Sequence, residues 1–151
     1  MRLILNRIAF QVKNMSSVFA EHTKDQFNGN LNIEIKQTTK KGRGVFAKKN
    51  FTKDEVIETC QIITFSEEDA DRIELTFLSN YWFAWRENAT EYGALCLGNG
   101  SLFNHSKTPN AHVFKDFENN LIHFIASEDI QIGTEITIKY GTVWFKEEEG
   151  L

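Results

Sequence analysis

Asn104-His105-Ser106, with Pro109-Asn110 close behind, forms a polar cluster directly after the apolar pair Leu102-Phe103, in a stretch otherwise suited to burial. Buried polar groups need partners. These side chains therefore serve either the backbone of a turn, as an isolated Asn-His pair usually does, or a ligand. Gly42-Arg43-Gly44 sets two glycines around one residue. That pattern marks a tight turn between strands, and it also lets a backbone approach a ligand closely. Tyr140 ends a strand-like run and is followed by Gly141. A tyrosine there is either a half-buried aromatic with its hydroxyl in solvent or a hydrogen-bonding phenol of pKa about 10 facing a reactant.

Short elements must position these residues. Ile33 and Ile35 alternate, Val45 and Phe46 follow the glycine turn, and Val56 to Ile63 is rich in β-branched residues, all signs of strands. Further strands are expected at Ala94 to Leu97, Ala111 to Phe114, Leu121 to Ala126 and Glu135 to Tyr140, with Asn119-Asn120 as a hairpin turn. One helix interrupts them over Ser66 to Trp85. Ser66 can cap it with Asp69 three places on, and Ile73, Phe77, Leu78, Tyr81 and Trp82 recur at helical intervals. Residues 20 to 30 are polar, so the compact domain is expected to start near Leu31.

Composition bounds the function. The 151 residues suit one domain, and 41% hydrophobic with 25% charged residues is ordinary for a folded protein. A net charge of -4 creates no general field for phosphates and mildly favours a cationic segment, so the expected partner is a basic protein and not nucleic acid. Cys60 and Cys96 are the only cysteines. They can build neither a disulfide framework nor a four-cysteine zinc site, so no metal is expected, and a reducing interior fits. No apolar run approaches the roughly 20 residues that span a bilayer, so no membrane partner is expected and the setting is cytoplasmic or nuclear. The first twenty residues carry Arg2, Arg7 and Lys13, no acid, and Ile4, Leu5, Ile8, Val12 and Met15 at helical spacing. This reads as a short amphipathic helix covering the domain or a partner, with an organelle transit peptide as the lesser alternative.

Lys41-Gly42-Arg43-Gly44-Val45-Phe46-Ala47, then Gly98 to Asn110, then Gly133 to Gly141 resemble, in order and spacing, the SET-domain family of protein-lysine methyltransferases. The likeness runs from about Leu31 to about Phe145. It is to the minimal form, without the cysteine-rich flanks that bind zinc in many relatives. It implies a mainly β fold (a β-clip) of several short sheets with one helix after the second or third strand and a knot-like threading near the C-terminus. It divides the chain into an extension at 1–30, the SET domain at 31–145 and a short acidic tail at 146–151.

The resemblance also implies an activity, the transfer of a methyl group from S-adenosylmethionine to a lysine side chain of a protein. Peptide groups near Lys41, Arg43 and Val45 would meet the cofactor's charged methionine end. Asn104 and His105 would hold its purine, with Trp144 against it. Tyr140 falls on the catalytic tyrosine, and Tyr81, Tyr92 and Ile138 are candidates to line the lysine channel. Methyl displacement needs a neutral amine, whereas a free lysine has a pKa of about 10.4. Desolvation and a nearby sulfonium both lower it, so Tyr140 is assigned positioning and electrostatics, with proton abstraction the lesser alternative. The chain departs from many relatives in having Ile138 two places before the tyrosine, where Phe or Tyr helps to set the number of methyl groups. It also has Lys107 where a cysteine is common, and only Lys146 to Leu151 after the aromatic pair. The acidic tail, the N-terminal segment or the second subunit of a homodimer would have to close the channel. Histone-like and ribosomal proteins are the candidate substrates. The competing class is an inactive SET-fold module that binds lysine-rich segments.

Overall fold

The computed structural model describes residues 29–87 and 90–141, with side chains throughout these apart from 86–92. The N-terminal amphipathic segment, Trp144 and the acidic tail lie outside the described residues.

Among the described residues, nine short strands form two sheets. The smaller contains β1 (Ile33–Gln37), β2 (Arg43–Ala47), β6 (Asn104–His105) and β9 (Glu135–Ile138), in the order β1-β2-β9-β6. The larger contains β3 (Val56–Phe65), β4 (Trp82–Glu87), β5 (Thr90–Leu97), β7 (Ala111–Asp116) and β8 (Leu121–Ala126), in the order β4-β5-β3-β8-β7. The β7–β8 hairpin turns where expected. Asn120 takes a positive φ of 54°, and the Asp116 carboxylate accepts hydrogen bonds from the backbone and the side chain of Asn119. Asparagine tolerates this left-handed conformation better than most residues.

The expected helix over Ser66 to Trp85 is shorter than its periodicity suggested. The helix α1 spans Glu67–Glu74, and Ser66 caps it by accepting from the Asp69 N–H. A single 3-10 turn follows at Phe77–Asn80, and the aromatic run then enters β4. Pairing with β5 decides this outcome. Along β4, Phe83 packs on the core and Trp85 is buried within it, an alternation of two that a helix could not satisfy. Phe65 closes the other face by lying over Gly93, where a Cβ would come within 1.9 Å of its ring, and by meeting Trp82 edge-on at 5.8 Å. Two strands, β4 and the two-residue β6, were not anticipated. Tyr140 stands two residues beyond the end of β9 and does not terminate the strand itself.

The core lies between the sheets. Phe103 stacks flat on Phe124 at 4.2 Å, Phe83 meets Phe124 edge-on at 6.0 Å, and Ile122, Ile130, Ile136 and Ile138 fill the space around them.

Candidate active site

The loop that carries the Asn-His pair is pressed onto this core. Gly98 adopts φ +115° to turn the chain. A Cβ at Gly100 would lie 2.8 Å from both Cys96 Sγ and the Phe124 ring and 2.9 Å from Cys60 Sγ, so only glycine lets the loop sit this low. Cys96 donates to Cys60, and this bond, aided by burial, pushes the Cys96 thiol well above the usual range. It is an inert packing group. Phe103 then anchors in the core at 1% exposure, and the next two residues pair in parallel with β9, Asn104 opposite Thr137 and His105 opposite Ile138. That pairing gives the adjacency a knot-like crossing needs.

Polar side chains tie this crossing together. The Asn104 amide donates to Glu135 Oε1 at 2.8 Å and to the Arg43 carbonyl at 3.2 Å, which links β6 to both β9 and β2. Gly44 is bare because a Cβ there would come 2.6 Å from Glu135 Oε1 and 2.7 Å from Asn104 Nδ2. Lys41 reaches over from the β1–β2 turn, its Nζ donating to the His105 carbonyl at 2.8 Å. Asn110 bridges the β9 backbone, donating to the Glu135 carbonyl at 2.9 Å and accepting from the Thr137 N–H at 2.8 Å.

Tyr140 is held from both ends. Its backbone N–H donates to His105 Nδ1 at 3.0 Å, which assigns the ring proton of neutral His105 to Nε2. Its phenol donates to the Phe103 carbonyl at 2.8 Å, and its ring lies 5.4 Å from that of His105. Burial, and then the neighbouring Tyr81 phenol, pushes the Tyr140 pKa up to about 12, so it is a neutral phenol at physiological pH.

The structure therefore brings together Lys41, Arg43, Asn104, His105, Tyr140 and Tyr81. Val45 is wholly buried, so only its backbone faces the turn region, and Ile138 is 1% exposed in the core. Tyr92 pairs with Trp85 across β5 and β4, and its side chain is not among those described. Sequence reasoning assigned no role to Glu135 or Asn110, although both stand inside the motifs. A Glu opening a strand and an Asn after Pro109 are weak signals until the strand they bridge is known.

Comparison with known proteins agrees with this architecture. Residues 42–141 match the SET domain family. The chain is 36% identical over 118 residues to a histone-lysine N-methyltransferase of Schizosaccharomyces pombe described as H3 lysine-37 specific, covering 77% of this chain and 78% of that protein. It is 32% identical over 124 residues to an N-lysine methyltransferase of Xenopus laevis, covering 72% of this chain but only 36% of that longer protein. Among solved structures, one described as a histone methyltransferase of Plasmodium falciparum superposes with a TM-score of 0.60 at 34% identity, covering 75% of this chain and 96% of the other. The Neurospora SET domain protein DIM-5 shares the fold, with a TM-score of 0.60 at 20% identity over 82% of this chain and 57% of that one. The chain belongs to the SET domain family and is a protein-lysine methyltransferase by class.

Proposed function

We propose that the chain transfers a methyl group from S-adenosylmethionine to the side-chain amine of a lysine in a basic protein, histone-like or ribosomal, in the cytoplasm or nucleus. The histone enzymes among its relatives support the histone alternative. The observation that carries the reading is a neutral phenol, Tyr140, locked onto the Phe103 carbonyl beside the Asn-His pair, with its backbone N–H held by His105 Nδ1.

The residues present fit the cofactor. The exposed Gly42, at φ +72° with nothing within 4 Å of where a Cβ would stand, supports close approach of a ligand to the 41–45 segment, where Lys41 and Arg43 supply positive charge for a carboxylate. Both amide hydrogens of Asn104 are spent inside the protein, so any contact it makes to the cofactor falls to Oδ1. When bound, the cofactor supplies an electrophilic methyl on a positively charged sulfonium.

The phenol proton of Tyr140 is committed to Phe103, which leaves the phenol oxygen as an acceptor for an amine N–H. It orients the amine and does not serve as its base, because its pKa of about 12 keeps it protonated. The aromatic faces of Tyr81 and Tyr140 lower the pKa of an inserted lysine by excluding water. We further assign the catalytic domain to 31–145, with 1–30 as an extension and 146–151 as a tail. Closure of the channel falls to one of these segments or to the second subunit of a homodimer, and Trp144, Tyr92 and Ile138 keep the roles that the resemblance implies.

The test is transfer from labelled S-adenosylmethionine to proteins of a host extract, with mass spectrometry of the labelled lysines. Tyr140→Phe is expected to lower turnover by about 100-fold or more. It should retain the thermal stabilisation of about 2.7 kcal/mol that a hundredfold excess of ligand over its dissociation constant produces. Undiminished turnover in that variant would sink the reading.

A further inference from the structure

Between α1 and β4 the chain makes a short knuckle whose backbone is satisfied locally. Leu75 N–H donates to Arg72, Thr76 to Ile73, Ser79 to Thr76 and Tyr81 to Leu78, and the Asn80 side chain returns to the Phe77 carbonyl. The knuckle needs no apolar packing to hold its shape, yet it presents Leu75, Phe77 and Leu78 to solvent at 88%, 74% and 53% exposure. Three large apolar side chains exposed within four positions mark an interaction surface more often than chance. Phe77 links this surface towards the reaction centre, because its ring lies 5.4 Å from that of Tyr81, whose phenol is near enough to Tyr140 to push its pKa up.

The adjoining helix adds charge. Glu67, Asp71 and Glu74 recur at helical spacing on one exposed stripe of α1, and Leu75 follows directly as the cap at its C-terminal end. Arg72 is occupied by Glu68 and Asp69, so the stripe has no cationic partner among the described residues. From Glu67 to Glu74, eight residues, it is about 10 Å long, the span of roughly three residues of an extended peptide. Its sign matches the basic substrate already proposed.

We propose that Leu75, Phe77 and Leu78 form an apolar step at the channel mouth, continued by the Glu67–Asp71–Glu74 stripe, which selects substrate segments carrying an apolar side chain between the target lysine and a basic cluster. The occupant is the lysine-bearing segment itself. This rests on the methyl-transfer reading and narrows its substrate class.

The probes are fluorescein-labelled lysine peptides in three series. One carries an apolar residue, scanned over the four positions on either side of the lysine, followed by a basic cluster. A second has Gln for the apolar residue, and a third has an acidic cluster for the basic one. Anisotropy in the presence of S-adenosylhomocysteine reads binding, and label transfer reads kcat and KM. The wild type is expected to bind the first series at least tenfold more tightly than either other at one position. Leu75→Ser/Leu78→Ser, two exposed changes, should erase the apolar preference, and Glu67→Gln/Asp71→Asn/Glu74→Gln the basic one. Each should raise KM and leave saturated kcat and S-adenosylmethionine binding unchanged. Equal binding of all three series by the wild type, or an undiminished preference in the variants, overturns the proposal. So does a self-association that the serine pair abolishes without changing peptide affinity. Selective binding with no transfer to any peptide would sink the methyl-transfer reading and spare the surface.

Discussion

The two sheets share one apolar core, and the smaller adds a second kind of cohesion to it. Around the five-stranded sheet, cohesion is apolar. Phe103 and Phe124 stack, Phe83 meets Phe124 edge-on, and Cys60, Cys96 and Gly100 close the gap with almost no exposed surface. The four-stranded sheet gives Ile33, Val45, Ile136 and Ile138 to the same core, but its β2, β6 and β9 are also linked by directed hydrogen bonds that Asn104 and Asn110 donate and Glu135 accepts. The first kind of contact is insensitive to angle, and the second fixes orientation. The proposed site, which would aim the Tyr140 phenol at an amine, lies among these directed bonds. Phe103 joins the two regimes, its ring buried in the large-sheet core and its carbonyl holding the Tyr140 hydroxyl.

The contrast can be broken from either side. Phe124→Ala removes the centre of the apolar cluster, and a loss of about 3–5 kcal/mol in denaturant unfolding is expected. A loss under 1 kcal/mol would mean that the sheets are not held by that stack. Asn110→Ala leaves a β9 N–H and a β9 carbonyl without their bridge, at a cost of about 1–3 kcal/mol. It should also weaken S-adenosylmethionine binding, measured calorimetrically, whereas a conservative core change such as Ile122→Val should not. If the two variants behaved alike in ligand binding, the polar links would have no special bearing on the site.

The smallest effect is a pH dependence. Tyr140 binds its proton more tightly folded than unfolded, so stability from this group is intact below pH 10.0 and falls as the pH rises from there to about 12, because the unfolded chain ionises first. Wild type should therefore lose more stability across that window than Tyr140→Phe, and phenolate absorbance should show one tyrosine titrating late. Coincident curves would mean that the phenol is not shielded.

Most strands were legible because each has a local cause. Ile33 and Ile35 alternate, Asn119-Asn120 turns, and Ser66 caps the helix with Asp69 in place. The aromatic run at Tyr81 to Trp85 misled, since Phe77, Tyr81 and Trp85 satisfy a helical period while Phe83 and Trp85 satisfy an alternating one. Pairing with β5, remote from that local choice, decided between them. β6 was invisible for a related reason. Two residues carry no period, and they become a strand only when β9 arrives beside them.

Which residues could do chemistry followed from the amino-acid order alone, because the glycine turn, the Asn-His pair and the tyrosine are set by residue type at short range. The direction each of them faces did not. Phe103 and Tyr140 are 37 positions apart, and the bond that commits the phenol proton exists only where two distant segments cross. Hydrogen bonds depend on angle and on distances of about 3 Å, and those are properties of the assembled fold.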